Sequence, residues 1–156
     1  LAVVNSLGSP VIPGTRCFWA WPFERGGEFG GVRPPATLPP DPGIHFKTTP
    51  PGTGGPGANT TIAVVATDAA LERAEALRIA LMAQDGLARA IRPAHCPLDG
   101  DTVFALSTGR VPLADPVWSL AEIGHHAADC LARAIARAVF EAAPLAGIPA
   151  WRDLSG

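Results

Sequence analysis

The sequence has little charge of either sign and no long apolar run. Its 156 residues include 12 Lys or Arg and 14 Asp or Glu, for a formal net charge of −2. A surface that binds nucleic acid needs clustered Lys and Arg to neutralise phosphates, so we predict no nucleic-acid partner. A helix that spans a membrane needs about 18 consecutive apolar residues. No segment provides them, so we predict no membrane partner either.

Cysteine is scarce as well, and an initiating methionine is missing. Cys17, Cys96 and Cys130 are odd in number and show no C-x-x-C spacing. This pattern is typical of a reduced compartment, so we predict a cytoplasmic protein. The chain opens on the β-branched run LAVVN, which is typical of the end of a buried strand. We therefore expect the C-terminal part of a longer protein.

What the sequence does contain is a globular pattern of strands and helices. Apolar residues make up 47% of the chain, which indicates one globular domain. The apolar periodicity predicts strands at 1–5, 60–69 and 101–109, and helices at about 70–91, capped by Asp68, and 116–141. The strand at 60–69 is apolar on both faces, so we expect it to be buried between two layers. Residues 32–59 are rich in Pro and Gly and predict a long loop.

The glycine-rich segment ends on Asn59-Thr60-Thr61 and passes directly into the predicted strand. Such a tripeptide can simply be a turn, because Asn tolerates left-handed geometry and Thr suits the start of a strand. A phosphate-binding loop is disfavoured, since Ala58 stands where its lysine should be and no helix follows. The third interpretation is an internal cleavage site. A threonine whose own α-amino group has been freed carries nucleophile and general base in one residue.

Several separated motifs resemble those of one family. GANTTIAVVATDA at 57–69 and AEALRIALMAQDGLARAIRPAHCPLDGDTVFALSTG at 74–109 are similar, in this order, to the self-cleaving L-aminopeptidase/D-esterase family. That family includes the β-aminopeptidases and the endo-type nylon-oligomer hydrolase. Asn5 in VVNSLGS and the segment WPFERGGEFGG at 21–31 fit as well, so the resemblance covers roughly residues 5–142.

The resemblance implies that the precursor is cut between Asn59 and Thr60. Residues 1–59 would end the first subunit with its Gly/Pro-rich linker, and residues 60–156 would form the second subunit. Thr60 would be the nucleophile, because the family's nucleophile lies four residues before a pair of valines, matched here at 64–65. Thr61 is the rival nucleophile. Asn5 matches an asparagine whose amide stabilises the oxyanion, although a strand-ending Asn in a turn needs no such role.

Two carboxylates match the family's second polar pair. By this resemblance, Asp99 and Asp101 align with a pair of residues that is Ser and Glu in aminopeptidase-like members. In the nylon-oligomer hydrolase the same pair is Asp and Asp. Two acceptors on alternate positions entering a strand point to the same side. They would then hold the ammonium and hydroxyl groups of Thr60. From the residues alone, Asp99-Gly100-Asp101 is equally a turn. The Asp pair favours ω-amino-acid oligoamides over strict removal of N-terminal residues.

The resemblance also implies an architecture and a reaction. The expected fold is α/β (α+β), a layered α-β-β-α sandwich of the N-terminal-nucleophile type, with this chain covering its C-terminal part. The expected protein is an amide hydrolase for short peptides or oligoamides, a homo-oligomer (commonly a tetramer), and free of cofactor. The missing N-terminal part of the first subunit would supply a further lysine or tyrosine. Two alternatives remain: an acyltransferase resembling ornithine acetyltransferase, and a non-catalytic binding protein of the same fold.

The remaining eye-catching side chains predict no further chemistry. His125 and His126 are adjacent on the last predicted helix, so their rings point about 100° apart and cannot share a metal. We therefore predict no metal site. Cys96 follows His95 directly, but neighbours in sequence rarely align as nucleophile and base, so a thiol nucleophile is disfavoured.

Overall fold

The computed structural model describes residues 1–39 and 59–154. The elements in chain order are β1 (Ala2–Asn5), β2 (Thr60–Ala69), α1 (Arg73–Ala83), α2 (Asp85–Ala90), β3 (Thr102–Val111) and α3 (Pro116–Glu141), with short 3-10 helices at Trp21–Phe23 and Trp151–Asp153. Most of the predicted Gly/Pro-rich loop, residues 40–58, lies outside the described residues. The result is a mixed α/β chain with a small sheet, compatible with the expected α+β class.

The three strands form one sheet in the order β1-β2-β3. The central strand β2 is antiparallel to β1 and parallel to β3. A parallel pair needs a long crossover connection, which α1 and α2 provide. In this register Asn5 lies opposite Thr60, and an isolated bridge pairs Asn59 with Asp99. The end of β1, the start of β2 and the loop before β3 therefore meet at one end of the sheet.

The helices pack together on one face of this sheet. Helix α3 begins where Asp115 accepts hydrogen bonds from the N–H groups of Val117 and Trp118, at 3.1 and 3.2 Å. Its apolar stripe faces α1, α2 and the sheet, and the predicted bounds 116–141 are confirmed. The largest fully buried side chains are Phe18, Phe29, Ile79, Leu87, Leu131 and Ile135. Burying each of them contributes roughly 1.5–3 kcal/mol. In the described ranges no helix is both long and apolar enough to cross a membrane.

The other face of the sheet is apolar and exposed. Thr61 and Ala63 of β2 are buried under the helices, whereas Ile62 between them is 48% exposed. On β3, Phe104 and Leu106 are 57% and 55% exposed. The expectation that strand 60–69 is buried on both faces is therefore wrong for the described residues. The reason is that α1, α2 and α3 all lie on the same side.

The predicted helix at 70–91 is also wrong in detail. Its residues form two helices, α1 and α2, separated at Gln84. Asp68 is not the N-cap, because β2 continues to Ala69. The strand reaches Ala69 because this residue pairs with Val111 of β3, and the Ser107 hydroxyl also donates to the Ala69 carbonyl at 2.6 Å. The helix begins instead after Glu72, whose N–H donates to the Glu75 carboxylate at 2.8 Å.

The segment 24–33 is held against α3 by an ion pair. The Glu28 carboxylate accepts a hydrogen bond from Nε of Arg133. It accepts a second hydrogen bond, of 3.0 Å, from another nitrogen of the same guanidinium group. Both side chains are partly exposed, at 22% for Arg133 and 17% for Glu28. The hydrogen bond from Arg133 lowers the pKa of Glu28, against an opposing contribution from burial. The loop is thus anchored by a charged pair next to the core residue Phe29.

Candidate active site

The two candidate nucleophiles lie on opposite faces of β2. Thr60 is half-buried and faces the side of the sheet that carries Asn5, its partner across β1. Thr61 points into the helix layer and is 0% exposed. Within the described part of the chain, the buried Thr61 hydroxyl has no hydrogen-bond partner. The Thr60 side chain therefore lies on the open face of the sheet, whereas the Thr61 side chain lies on the face that the helices cover.

The carbonyl group of Asn59 is the centre of the arrangement. Its oxygen accepts a hydrogen bond from the Thr60 hydroxyl at 2.6 Å and a second one from the backbone N–H of Gly100 at 2.8 Å. Asn59 itself is 5% exposed. The Thr60 hydroxyl thus lies against the carbonyl of the Asn59–Thr60 peptide bond, and a backbone donor polarises that same carbonyl.

Gly100 also leaves the space that this arrangement needs. A Cβ atom built on Gly100 would lie 2.9 Å from the Thr60 hydroxyl oxygen and 3.8 Å from the Asn59 carbonyl oxygen. Real Cβ atoms do not approach other atoms as closely as the first of these distances. Any larger residue would push the hydroxyl away from the carbonyl. Glycine is therefore required here for the close approach.

Asp99 joins the two loops that border the site. One oxygen of its carboxylate accepts from the N–H of Leu7 at 3.1 Å, and the other accepts from the N–H of Cys96 at 3.2 Å. Leu7 lies two residues after β1 and Cys96 lies in the loop before β3. The carboxylate therefore ties the Asn5 end of β1 to the strand pair that carries Thr60.

Asp101 is tied to the first peptide group of β2. One oxygen of its carboxylate accepts from the N–H of Thr61 at 2.9 Å, and the other lies 3.3 Å from Nδ1 of His95. The Asp101 side chain is only 7% exposed. Sequence reasoning considered His95 only as a neighbour of Cys96 and missed this contact. It depends on how residues 95–101 fold back, and no local pattern signals that.

All of the predicted site residues meet at this end of the sheet. The β2–β3 register runs from the Asn59–Asp99 bridge to Ile62 opposite Thr102. Gly100 therefore lies beside Thr60, and the two aspartates lie beside Asn59 and Thr61. Because side chains alternate along strands, both carboxylates belong to the face opposite the Thr60 side chain. Their described partners are backbone N–H groups and His95.

The thiol near the site is held neutral. Burial is the main cause that raises the pKa of Cys96, and the negative charge of the adjacent Asp99 adds to it. A neutral thiol is a poor nucleophile compared with a thiolate. Among residues 1–39 and 59–154, no group of three or more His, Cys, Asp or Glu side chains is arranged to hold a metal ion.

Comparison with known proteins identifies a peptidase family. Residues 23–150 match Peptidase family S58. The chain is 46% identical over 164 residues to proteins named uncharacterized aminopeptidase from Mycobacterium tuberculosis and Mycobacterium bovis, and the match covers 99% of this chain and 46% of theirs. A similarly named protein from Mycobacterium leprae is 43% identical over 161 residues, covering 97% of this chain and 42% of its own length.

The chain therefore spans somewhat less than half the length of the curated relatives it matches. The family expected from the motifs around Thr60 and Asp99 is confirmed by the family match and by the names of the relatives. On this basis the chain belongs to peptidase family S58, the L-aminopeptidase/D-esterase family.

Proposed function

We propose that this chain carries the nucleophile of an autoprocessing amide hydrolase, and that Thr60 is that nucleophile. The observation that supports this most directly is the Asn59 carbonyl, which accepts from both the Thr60 hydroxyl and the Gly100 N–H. An attacking hydroxyl and an oxyanion donor then converge on the peptide bond to be cut. The exposed-face position of Thr60 and the burial of Thr61 support the same assignment.

In the first step the chain cuts itself. The Thr60 hydroxyl oxygen attacks the carbonyl carbon of Asn59, and the Gly100 N–H stabilises the resulting oxyanion. The hydroxyl proton passes to the Thr60 nitrogen, the C–N bond breaks to free this nitrogen as an amine, and an ester joins Asn59 to the Thr60 oxygen. Water then hydrolyses this ester. The products are a first subunit, with Asn59 as its new carboxyl terminus, and a second subunit that begins at Thr60.

In the second step the processed protein hydrolyses substrate. The free α-amine of Thr60 accepts the proton of its own hydroxyl, since an α-amino group with a pKa of about 8 can act as a base at neutral pH. The hydroxyl oxygen attacks an amide carbonyl, and the Asn5 amide with a backbone N–H holds the oxyanion. The amine product leaves with a proton, and water releases the acyl group from Thr60. Asp99 and Asp101 lie on the opposite face from the Thr60 side chain, so they act through the backbone. Asp101 holds the Thr61 N–H next to Thr60, and Asp99 holds the N–H of Leu7 near Asn5.

The substrate class that we propose is short peptides or ω-amino-acid oligoamides. The names of the mycobacterial relatives favour release of N-terminal residues from peptides. The Asp99/Asp101 pair favours oligoamides instead, because it resembles the pair of the endo-type nylon-oligomer hydrolase. The proposal needs no cofactor, since nucleophile, base and oxyanion donors all come from the protein.

The apolar open face of the sheet supports the α-β-β-α sandwich. It exposes Val3, Ile62, Phe104 and Leu106, and an apolar surface of this kind is rarely left uncovered in a soluble protein. We propose that a second sheet, contributed by the rest of the full-length protein, packs on this face. Thr60 and Asn5 would then lie between the two sheets. The tetrameric assembly, the cytoplasmic location and the upstream lysine or tyrosine belong to the same proposal.

Two alternative functions share this architecture. An acyltransferase resembling ornithine acetyltransferase would pass the acyl group from Thr60 to an amine rather than to water. An assay of acetyl transfer from acetylornithine to glutamate separates it from a hydrolase. A non-catalytic binding protein of the same fold would keep the Asn59–Thr60 bond intact.

The deciding experiment is the intact mass of the full-length protein under denaturing conditions. Wild type is expected to give two chains, the second beginning Thr-Thr-Ile-Ala. Thr60→Ala is expected to give one uncut chain, and Thr60→Ser to retain cutting. A single chain in the wild type would overturn the proposal, and a second chain beginning at Thr61 would move the nucleophile. Release of amino groups from oligoamides and from short peptides then identifies the substrate class.

A further inference from the structure

His95 has an unusual backbone conformation. Its φ angle is +56°, and among the described non-glycine residues only Ala146 shares a positive φ. A residue with a side chain in this left-handed region is under backbone strain, which the surrounding structure must offset. Such outliers cluster at active sites and ligand clamps. In this case the ring of His95 is aimed at Asp101.

The contact connects His95 to the proposed nucleophile through Asp101. Nδ1 of His95 lies 3.3 Å from one carboxylate oxygen of Asp101, and the other oxygen accepts the Thr61 N–H at 2.9 Å. The N–H of Thr61 belongs to the peptide group that directly follows Thr60. The contact with His95 therefore restricts the movement of the Asp101 carboxylate and of the start of β2, which is bonded to it. The His95 side chain is 41% exposed, so packing alone does not explain its orientation.

We propose that His95 is a positioning residue, which sets the orientation of the Asp101 carboxylate and thereby the geometry of the Thr60–Thr61 peptide group. This inference rests on the proposed function for its effect on catalysis. His95 lies within the motif stretch 74–109, but the resemblance assigns it no role in the site. His95 does not touch the reacting atoms, so its contribution is to the placement of groups that do.

Two substitutions separate the contact from the backbone. His95→Gly removes the ring but tolerates a positive φ, so the loop keeps its conformation. His95→Asn also tolerates this region, and its side-chain nitrogen is attached at the same branch point as Nδ1 and can donate to Asp101. The matched control is His125→Asn. His125 forms another His–Asp pair, with Nε2 3.6 Å from Asp129, on the exposed side of α3.

The first measurement is amide hydrogen exchange in the full-length protein with Thr60→Ala as background, where every molecule is uncut. His95→Gly is expected to raise the exchange rate of the Thr61 amide by about tenfold, while His95→Asn and His125→Asn leave it within about twofold. This readout does not depend on catalysis. Unchanged Thr61 exchange in His95→Gly would overturn the positioning role, whatever the activity of the protein.

The second measurement is made on the processed enzyme with Thr60 intact. His95→Gly is expected to lower kcat by about tenfold or more with KM nearly unchanged, because the lost interaction affects the reacting geometry and not substrate binding. His95→Asn is expected to restore most of kcat. Equal kcat values in wild type and His95→Gly would overturn the catalytic part of the inference. If wild type stays uncut, the proposed function fails, and the exchange result alone decides whether His95 positions Asp101.

Discussion

The backbone N–H of Gly100 lies 2.8 Å from the carbonyl oxygen of Asn59. Because this hydrogen bond joins two backbone groups, it is set by the pairing of Asn59 with Asp99 at the start of the β2–β3 ladder. Self-cleavage would build negative charge on that oxygen. A donor that is already in place stabilises such charge without reorganisation. The register of the sheet thus supplies part of the chemistry that we propose.

Gly100→Ala is expected to slow self-cleavage by about 10²-fold. The added Cβ would lie 2.9 Å from the Thr60 hydroxyl oxygen and displace it from the Asn59 carbonyl, although the N–H donor remains. The rate is measured by following the two chains by intact mass after synthesis of the full-length protein. Gly31→Ala is the control, because a Cβ there meets open space and only the positive φ opposes it. Equal cleavage rates for Gly100→Ala and wild type would contradict the prediction.

Thr61→Val is expected to leave cleavage intact and stability equal or higher by up to about 1 kcal/mol. The buried Thr61 hydroxyl lacks a partner in the described part of the structure, so a methyl group of the same shape removes an uncompensated desolvation cost. Thermal unfolding and intact mass test both points on one sample. Thr60→Val, by contrast, should stay uncut. If Thr61→Val stayed uncut and Thr60→Val were cut, the nucleophile would be Thr61 and not Thr60.

Asn5→Ala is expected to lower kcat for substrate hydrolysis by about 10²–10³-fold. The register places Asn5 opposite Thr60, where its amide can hold the oxyanion formed from substrate. The rate of self-cleavage should fall by less, because the Gly100 N–H and not Asn5 is the donor to the Asn59 carbonyl oxygen. Comparing the rate of chain appearance with kcat of the processed enzyme tests this difference. Ser6→Ala, which removes a hydroxyl that donates to the Gly8 carbonyl, should keep kcat within about twofold.

Glu28→Gln is expected to destabilise the protein by about 1–2 kcal/mol at neutral pH. The Arg133 guanidinium lowers the pKa of Glu28 below its ordinary value of 4.5, so the ionised form favours the folded state. This stability is present above the ordinary pKa and is lost as pH falls through the folded-state pKa. The difference between wild type and Glu28→Gln should therefore shrink at acidic pH in thermal unfolding experiments. A difference that stays constant down to low pH would contradict the assignment.

Glu141→Gln is the matched control for that charge. Glu141 lies 3.9 Å from Arg137 and 3.7 Å from Arg152, but about half of its side chain is exposed. Exposed ion pairs contribute little because water and salt screen them. Glu141→Gln should therefore change the free energy of unfolding by less than about 0.5 kcal/mol, at neutral and at acidic pH alike.

Local patterns in the sequence determined the long elements of this protein. The apolar stripe of α3 and the β-branched run of β2 are repeated over many neighbouring residues, so their period predicts them without tertiary contacts. The family was equally readable, because its motifs are continuous stretches around Thr60 and Asp99. These features depend on residues that are close together in the chain.

Tertiary structure alone decided the features that depend on distant contacts. The pairing of Asn59 with Asp99 and the bond from Thr61 to Asp101 connect residues 40 apart, and they give Gly100 and His95 their positions. The pairing of Ala69 with Val111 carries β2 past Asp68 in the same way, which is why the helix begins later than its local pattern predicts. The register between strands is a property of the packed sheet. No window of neighbouring residues contains it, and the arrangement around the Asn59 carbonyl appears only when the chain has folded.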